Sequence, residues 1–517
     1  MQPLRFAIAA SLTASLSLAA QRAPFSVEET TIAEIHAALK TGQLTCRGLV
    51  EQYLRRIDAY DKNGPAINAL VVVNPRALAV ADSLDQRFSR QGLVGPLHCI
   101  PMIVKDNYET TDLPVTAGSL SLKGFISKKD AFMVRRIKEA GAIVLAKSNM
   151  AEFAFSPYET VSSILPGYSK NPYALDRVTA GSSGGTAGAV AANFGTVGLG
   201  TDTGNSIRGP SGHQALVGIR STMGLTSRGG VVPLVLSADI AGPMARTVAD
   251  AVAVFQVVVG DDPADPVTST ARSHPREDYQ AALVADGLKG ARIGVLTQAY
   301  LTPTADAEVV RLFETSQGEL RRAGAEVVPN VMIDSLEAWS KEADGDCFPV
   351  KRDLNSWLAS HGDRVPVKTL ADIIKSGKFH PSIEHLLVSA QAAPDNDIDR
   401  TPGCQANEQF RAKLRIAVLS VMDRLRLDAL IYPTWSNPPR KIGDLNTPHG
   451  DNNQLFSPST GFPAITVPMG FTRGGVLPAG LQFLGRPWKE SVLIRLGYSY
   501  EQATHHRRPP TSVPPLN

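Results

Sequence analysis

Little in this chain advertises a charged polymer or a cofactor as its partner. Charged residues make up 20% of its 517 residues, aromatics 6%, and the formal net charge is only +3. A balance that close to neutrality argues against nucleic acid or an anionic membrane, which both draw on a concentrated basic field. The four cysteines, Cys46, Cys99, Cys347 and Cys404, are far apart and form no CxxC pair, which excludes a zinc knuckle or a dithiol redox motif. In an oxidising compartment they allow three complete disulfide pairings, and spacing chooses none of them. Cys99, within an apolar run, equally suits a buried free thiol. The ten histidines include no HExxH or comparable ligand set, and "HPSIEH" (380–385) is too sparse to define a site. Neither metal nor cofactor is expected.

Long apolar runs are also missing, except at the start. "MQPLRFAIAASLTASLSLAA" places one cation, Arg5, before an apolar and small-residue run from Phe6 to Ala20. At about 15 residues this is short for a membrane span and reads as a signal peptide over 1–20, cleaved near Ala20. The chain is therefore expected to be exported, periplasmic or secreted, with no membrane association once the leader is removed. At the other end, "HHRRPP" (505–510) reads as a frayed terminus and 511–517 as a tail.

The rest has a globular composition, 43% hydrophobic, with enough length for a large core. Ile32, Ile35 and Leu39, then Leu49, Tyr53, Leu54 and Ile57, mark two helices within 26–61, separated at Gly42. "AINALVVVN" (66–74) predicts a strand. An amphipathic helix, a glycine stop at Gly141 and an apolar run from Ile143 to Ala146 follow one another in 130–147. A similar order recurs as the strand "ARIGVL" (291–296), a helix from about Asp306, Gly324, and "AEVV" (325–328). "LDALIYPT" (427–434) predicts another buried strand. Such alternation predicts an α/β architecture with a largely buried sheet.

Three places could share chemistry. Lys105 ends the apolar run in "HCIPMIVKDN" (98–107), where burial would disfavour its ammonium form and make it a base near neutrality. Ser182 lies in "TAGSSGG", among glycines that permit unusual backbone geometry. A helix of very small residues, suited to close packing, follows over 182–195, then a strand-like run, "TVGLGT" (196–201). Ser206 follows "DTGN", whose successive backbone N–H groups could converge on a developing oxyanion. This loop lacks the GK[ST] ending of a nucleotide loop and is not a GxSxG elbow, since the next glycine is Gly209.

The stretch "AGSSGGTAGAVAANFGTVGLGTDTGNSIRGPS" (180–211) closely resembles the signature of the amidase signature family of serine hydrolases. "GPLHCIPMIVKDN" (95–107) resembles that family's lysine strand, and 231–251 and 461–487 also match its pattern. The resemblance implies a single large α/β domain over 26–510, with a mixed, mostly buried sheet flanked by helices. Its signature core would cover about 90–260, and variable substrate-pocket segments about 300–455.

The resemblance further implies a Ser–cis-Ser–Lys triad: Ser206 as nucleophile, Ser182 on a cis peptide after Gly181 as bridge, and Lys105 as neutral base. The backbone amides of Thr203, Gly204, Asn205 and Ser206 would form the oxyanion hole. Ser183 could hydrogen-bond the loop, and Asp202 with Arg208 could brace it. The implied activity is hydrolysis of a small-molecule carboxylic amide through an acyl-enzyme, releasing ammonia or an amine, with esters and carbamates also accepted, by a monomer or homodimer. Two departures from the family pattern stand out: Asn205 replaces the glycine before the nucleophile, and Ala180 the first glycine of the serine loop. Asparagine tolerates left-handed backbone geometry, which would preserve the amide path.

A catalytically silent binding protein that keeps the fold is one rival reading, against which the intact Lys105, Ser182 and Ser206 speak, and two further rivals keep catalysis on the same residues. One is the A-type subunit of a transfer-RNA-dependent amidotransferase, which shares the signature but needs partner subunits and a cytosolic setting. The other is a Ser–His–Asp hydrolase built from Ser206, His213 and Asp202, since triads are defined by geometry rather than order.

Overall fold

Buried β-type runs separated by amphipathic helices must share a sheet covered on both faces. In the computed structural model, which describes residues 25–343, 347–394 and 397–516, they do. The strands are β1 (Leu70–Val73), β2 (Pro101–Lys105), β3 (Ile143–Ser148), β4 (Lys170–Asn171), β5 (Ala174–Val178), β6 (Val197–Asp202) and β7 (Val217–Arg220). They continue with β8 (Ile240–Ala245), β9 (Arg292–Leu296), β10 (Glu326–Val331), β11 (Ala429–Pro433), β12 (Ala464–Thr472) and β13 (Leu477–Leu484). Among the described residues, eleven of them form one sheet in the order β1-β3-β2-β6-β8-β7-β12-β13-β11-β9-β10, while β4 and β5 pair apart. The sheet is mixed: β2 runs parallel to β3 and β6, whereas β6 and β8, β12 and β13, and β11 and β13 are antiparallel. This is the single α/β domain that the resemblance implies.

The two N-terminal helices, Ile32–Lys40 and Cys46–Ile57, bury the apolar stripes at helical spacing, with Gly42 at φ +69° between them. The predicted strand at 66–74 is shorter, because Ala66 and Asn68 take positive φ and pairing begins at Leu70. The small-residue helix Gly184–Ala191 is wholly buried against the sheet. A Cβ at Gly198 of β6 would lie 2.5 Å from Thr186 Cγ2, so only glycine allows this helix to lie so close.

The cysteines pair as Cys46–Cys99 and Cys347–Cys404, so Cys99 is not a free thiol. The first bond consumes both thiols of the one Cys/His cluster found among the described residues, Cys46, His98 and Cys99. The basic C-terminus does not fray. Arg507 forks onto Glu29 at 2.7 and 2.8 Å, and Arg56 donates to the carbonyls of Val513 and Pro514. These part-buried charge-assisted contacts tie the basic segment to residues 29 and 56, a fate that composition does not reveal. The leader 1–20 lies outside the described residues. Among those described, no helix is long and apolar enough to cross a membrane.

Candidate active site

Strands β2 and β6 are parallel neighbours, so their C-terminal ends deliver Lys105 and Asp202 to the same edge of the sheet. Lys105 is fully buried, and its Nζ lies 2.7 Å from Ser182 Oγ and 2.7 Å from Thr201 Oγ1. Burial lowers its pKa to about 7, against the weaker opposing pull of Asp202 and Asp239. Near neutrality this amine is therefore part neutral, with a lone pair facing a hydroxyl. The Gly181–Ser182 peptide bond is cis. Ser183 fastens the next turn to β6, donating to Thr201 O at 3.1 Å and accepting from Thr201 N at 3.3 Å.

Ser206 sits where the loop after β6 enters the helix Arg208–His213, and is 5% exposed. Its hydroxyl has no hydrogen-bond partner among the described residues, Ser182 included; such contacts commonly tighten only when substrate is bound. The two serine loops nevertheless share one anchor: Pro157 O accepts from Gly181 N at 2.9 Å and from Asn205 Nδ2 at 3.4 Å. Among the described residues, the backbone N–H groups of Thr203, Gly204, Asn205 and Ser206 have no acceptor. A run of unpaired amides is rare in a folded chain and creates a donor-lined surface ready for an oxyanion.

Asp202 braces this loop more extensively than its pairing with Arg208 alone. Its carboxylate accepts from Arg208 Nε at 3.0 Å, Arg220 Nη1 at 2.9 Å and Ile207 N at 3.2 Å. Burial alone would raise its pKa, but the two guanidiniums outweigh that and hold it below the usual carboxylate range. Arg208 also donates to Gly204 O at 2.7 Å, so the ion cluster reaches the loop's own backbone. On the far side, Thr203 Oγ1 donates to buried Asp239 at 2.5 Å.

Arg220, Asp239 and Thr201 are the members sequence reasoning missed. Arg220 carries a signal of the same kind as Lys105, a cation ending an apolar strand ("VGIR"). His213 is not joined to Ser206 or Asp202. It is buried, its pKa pushed down to about 3, its Nε2 lies 3.4 Å from Asn437 O and its ring stacks on Trp435 at 4.3 Å. Replacing His213 with alanine is expected to lower turnover by far less than the roughly 10²–10⁴-fold that loss of a general base costs. A steady-state assay of His213→Ala measures this.

A fold with a lysine–serine pair and a donor-lined serine loop at one sheet edge defines an amide-bond hydrolase of the amidase signature type. The family model described as Amidase matches residues 48–494, and the chain belongs to that family. The native peptide amidase of Stenotrophomonas maltophilia superposes with a TM-score of 0.84 at 37% identity, over 93% of this chain and 98% of that one. A probable amidase of Arabidopsis thaliana is 33% identical over 95% of this chain and 93% of its own length. The A-type subunit of the glutamyl-tRNA(Gln) amidotransferase from Halorhodospira halophila is also 33% identical, over 94% of this chain and 99% of its own length.

Proposed function

We propose that this protein is an exported serine amidohydrolase that cleaves linear carboxylic amides through an acyl-enzyme on Ser206. The observation that carries the reading is the fully buried Lys105 Nζ, 2.7 Å from Ser182 Oγ, with a pKa near 7. In the proposed cycle neutral Lys105 takes the Ser182 proton as Ser182 takes that of Ser206, so the attacking alkoxide forms without an imidazole. The developing oxyanion meets the amides of residues 203–206. The proton returns through Ser182 to the leaving nitrogen, which departs as ammonia or an amine. Water then attacks the ester by the same relay. Esters and carbamates fit the same cycle.

Two disulfides and the apolar run 6–20 support an oxidising destination. That setting disfavours the amidotransferase reading, although several relatives carry that name. The test is the purified chain alone, assayed on primary amides, p-nitroanilides, peptide amides and carbamates, with fluorophosphonate labelling mapped by mass spectrometry. Release of ammonia or amine with the label on Ser206 is expected. Activity that emerges only with added partner proteins would favour the amidotransferase, and label on another serine would refute the assignment.

A further inference from the structure

Position 205, directly before Ser206, carries asparagine where the resemblance leads one to expect glycine. Left-handed geometry is not the reason, because Asn205 keeps a negative φ. Its side chain instead spans a gap. Nδ2 donates to Asp451 Oδ2 at 2.9 Å and leans on Pro157 O, while a Cβ at Gly209 would lie 2.6 Å from that same nitrogen. Asp451 Oδ2 also accepts from Gln454 Nε2 at 2.9 Å, and Oδ1 accepts from Asn453 N at 2.9 Å and Nδ2 at 3.0 Å. The Gln454 carboxamide lies directly over Gly204, occupying the place a Cβ there would need. Asn453 in turn accepts from Arg208 through its carbonyl and its side chain. The short segment 451–454 thus touches Gly204, Asn205 and Arg208 together.

A carboxylate only accepts hydrogen bonds, so it dictates which end of each amide faces it. It draws Asn205 Nδ2 toward itself and leaves Asn205 Oδ1 buried without a partner among the described residues. An asparagine free to flip would not leave its acceptor unpaired; the orientation is set by the two acceptors facing Nδ2, the shorter contact being to Asp451 at 2.9 Å and the longer to Pro157 O at 3.4 Å. We propose that Asp451 is a positioning residue for the oxyanion loop, acting through Asn205 and Gln454 to hold the backbone amides on either side of Gly204. A glycine at 205 would remove the direct side-chain link between this stretch and Asp451, leaving Gln454 as its remaining route to that carboxylate. The inference rests on the amidohydrolase reading above.

The charged and titratable groups facing Asp451 are Arg208, His449, Tyr158 and Tyr432. Burial raises the Asp451 pKa to about 6, below the value for Lys105. If the carboxylate is needed as an acceptor, activity falls with one proton below about pH 7 and with two below about pH 6.

The experiment measures the fluorophosphonate labelling rate of Ser206, which needs no knowledge of the natural substrate, with amide turnover beside it, in wild type, Asn205→Gly, Asp451→Asn and the double variant. Each single variant should slow labelling and kcat by about tenfold, with KM little changed and the melting temperature kept. The double variant should be no slower than the worse single, because both cut one link. The second proton should vanish from the acid limb in Asp451→Asn. Labelling at the wild-type rate, losses that multiply in the double variant, or an unchanged two-proton limb would overturn the proposal. Should either variant fail to fold, exposed Gln454→Ala carries the test: slower labelling supports the device, and a wild-type rate refutes it. Wild-type protein that neither labels at Ser206 nor cleaves amides would defeat the underlying hydrolase reading, an outcome distinct from equal rates.

Discussion

Lys105→Met is expected to lower kcat by about 10³-fold while leaving the protein no less stable. Methionine keeps the length and apolar character of the lysine stem but removes the nitrogen beside Ser182. Thr201 Oγ1 retains Asn107 Nδ2 at 3.1 Å, so only Ser182 loses its partner. The stability half follows from linkage. The native pKa is near 7, whereas an unfolded lysine titrates at about 10.4. Between these values the unfolded chain binds the extra proton, so native stability rises with pH across that window. The penalty is fully present at and below about pH 7 and absent above about pH 10.5, and at neutrality it amounts to a few kcal/mol, about 4 on this difference. Losing the lysine hydrogen bonds offsets part of the gain. Urea titrations of both proteins at pH 7 and pH 10 should therefore show a relative advantage of the variant that shrinks with pH. Turnover in the wild type should rise through about pH 7 to a plateau, the limb of a base that must be neutral. A correctly folded variant that labels at Ser206 and turns over at the wild-type rate would rule the lysine out as base.

The same physics explains what can be read from the chain alone. Lys105 and Ser206 stand out because a polar residue ends an apolar strand or follows a glycine-rich turn, and both signals are local. The helix stripes at Ile32–Leu39 and Leu49–Ile57 are likewise set by residues three or four apart. The mixed order of the sheet is not local: β12 and β13 join its two halves from the far end of the sequence. Long-range partners are invisible for the same reason. Arg220 meets Asp202 only because β7 and β6 both pair with β8, and Asp451 meets Asn205 across almost half the chain. The disulfide pairing and the Arg507–Glu29 clasp belong to this class. Asn205 is legible as a departure from the family pattern, but its reason lies in residues that no local rule connects to it.

Asp202→Ala should be the most damaging single change to the fold of the site, destabilising the protein by about 3–5 kcal/mol. Asp202, Arg208 and Arg220 are all fully buried, and the carboxylate is the anion that compensates the two guanidiniums. Without it two cations would face each other away from water, with Arg208 Nε losing its partner. The damage reaches the site by a stated route. Arg208 Nη2 holds Gly204 O, and Asp202 itself caps the amides of Ile207 and Arg208 directly after Ser206. Turnover should therefore fall along with stability, unlike Lys105→Met, where the two separate. Asp202→Asn keeps the shape but presents an amide with half the acceptor capacity and no charge, so it should lie between the wild type and alanine in both measurements. The pH dependence has the opposite sign to that of Lys105. A carboxyl held below its unfolded value of about 3.9 contributes stability that is complete above that pH and is lost as the pH falls toward the native value. The difference in unfolding free energy between wild type and Asp202→Ala should be flat from neutrality to about pH 5 and then narrow in acid. A gap that stays constant below pH 4, or an alanine variant as stable as wild type, would mean that the cluster is not held together by this charge.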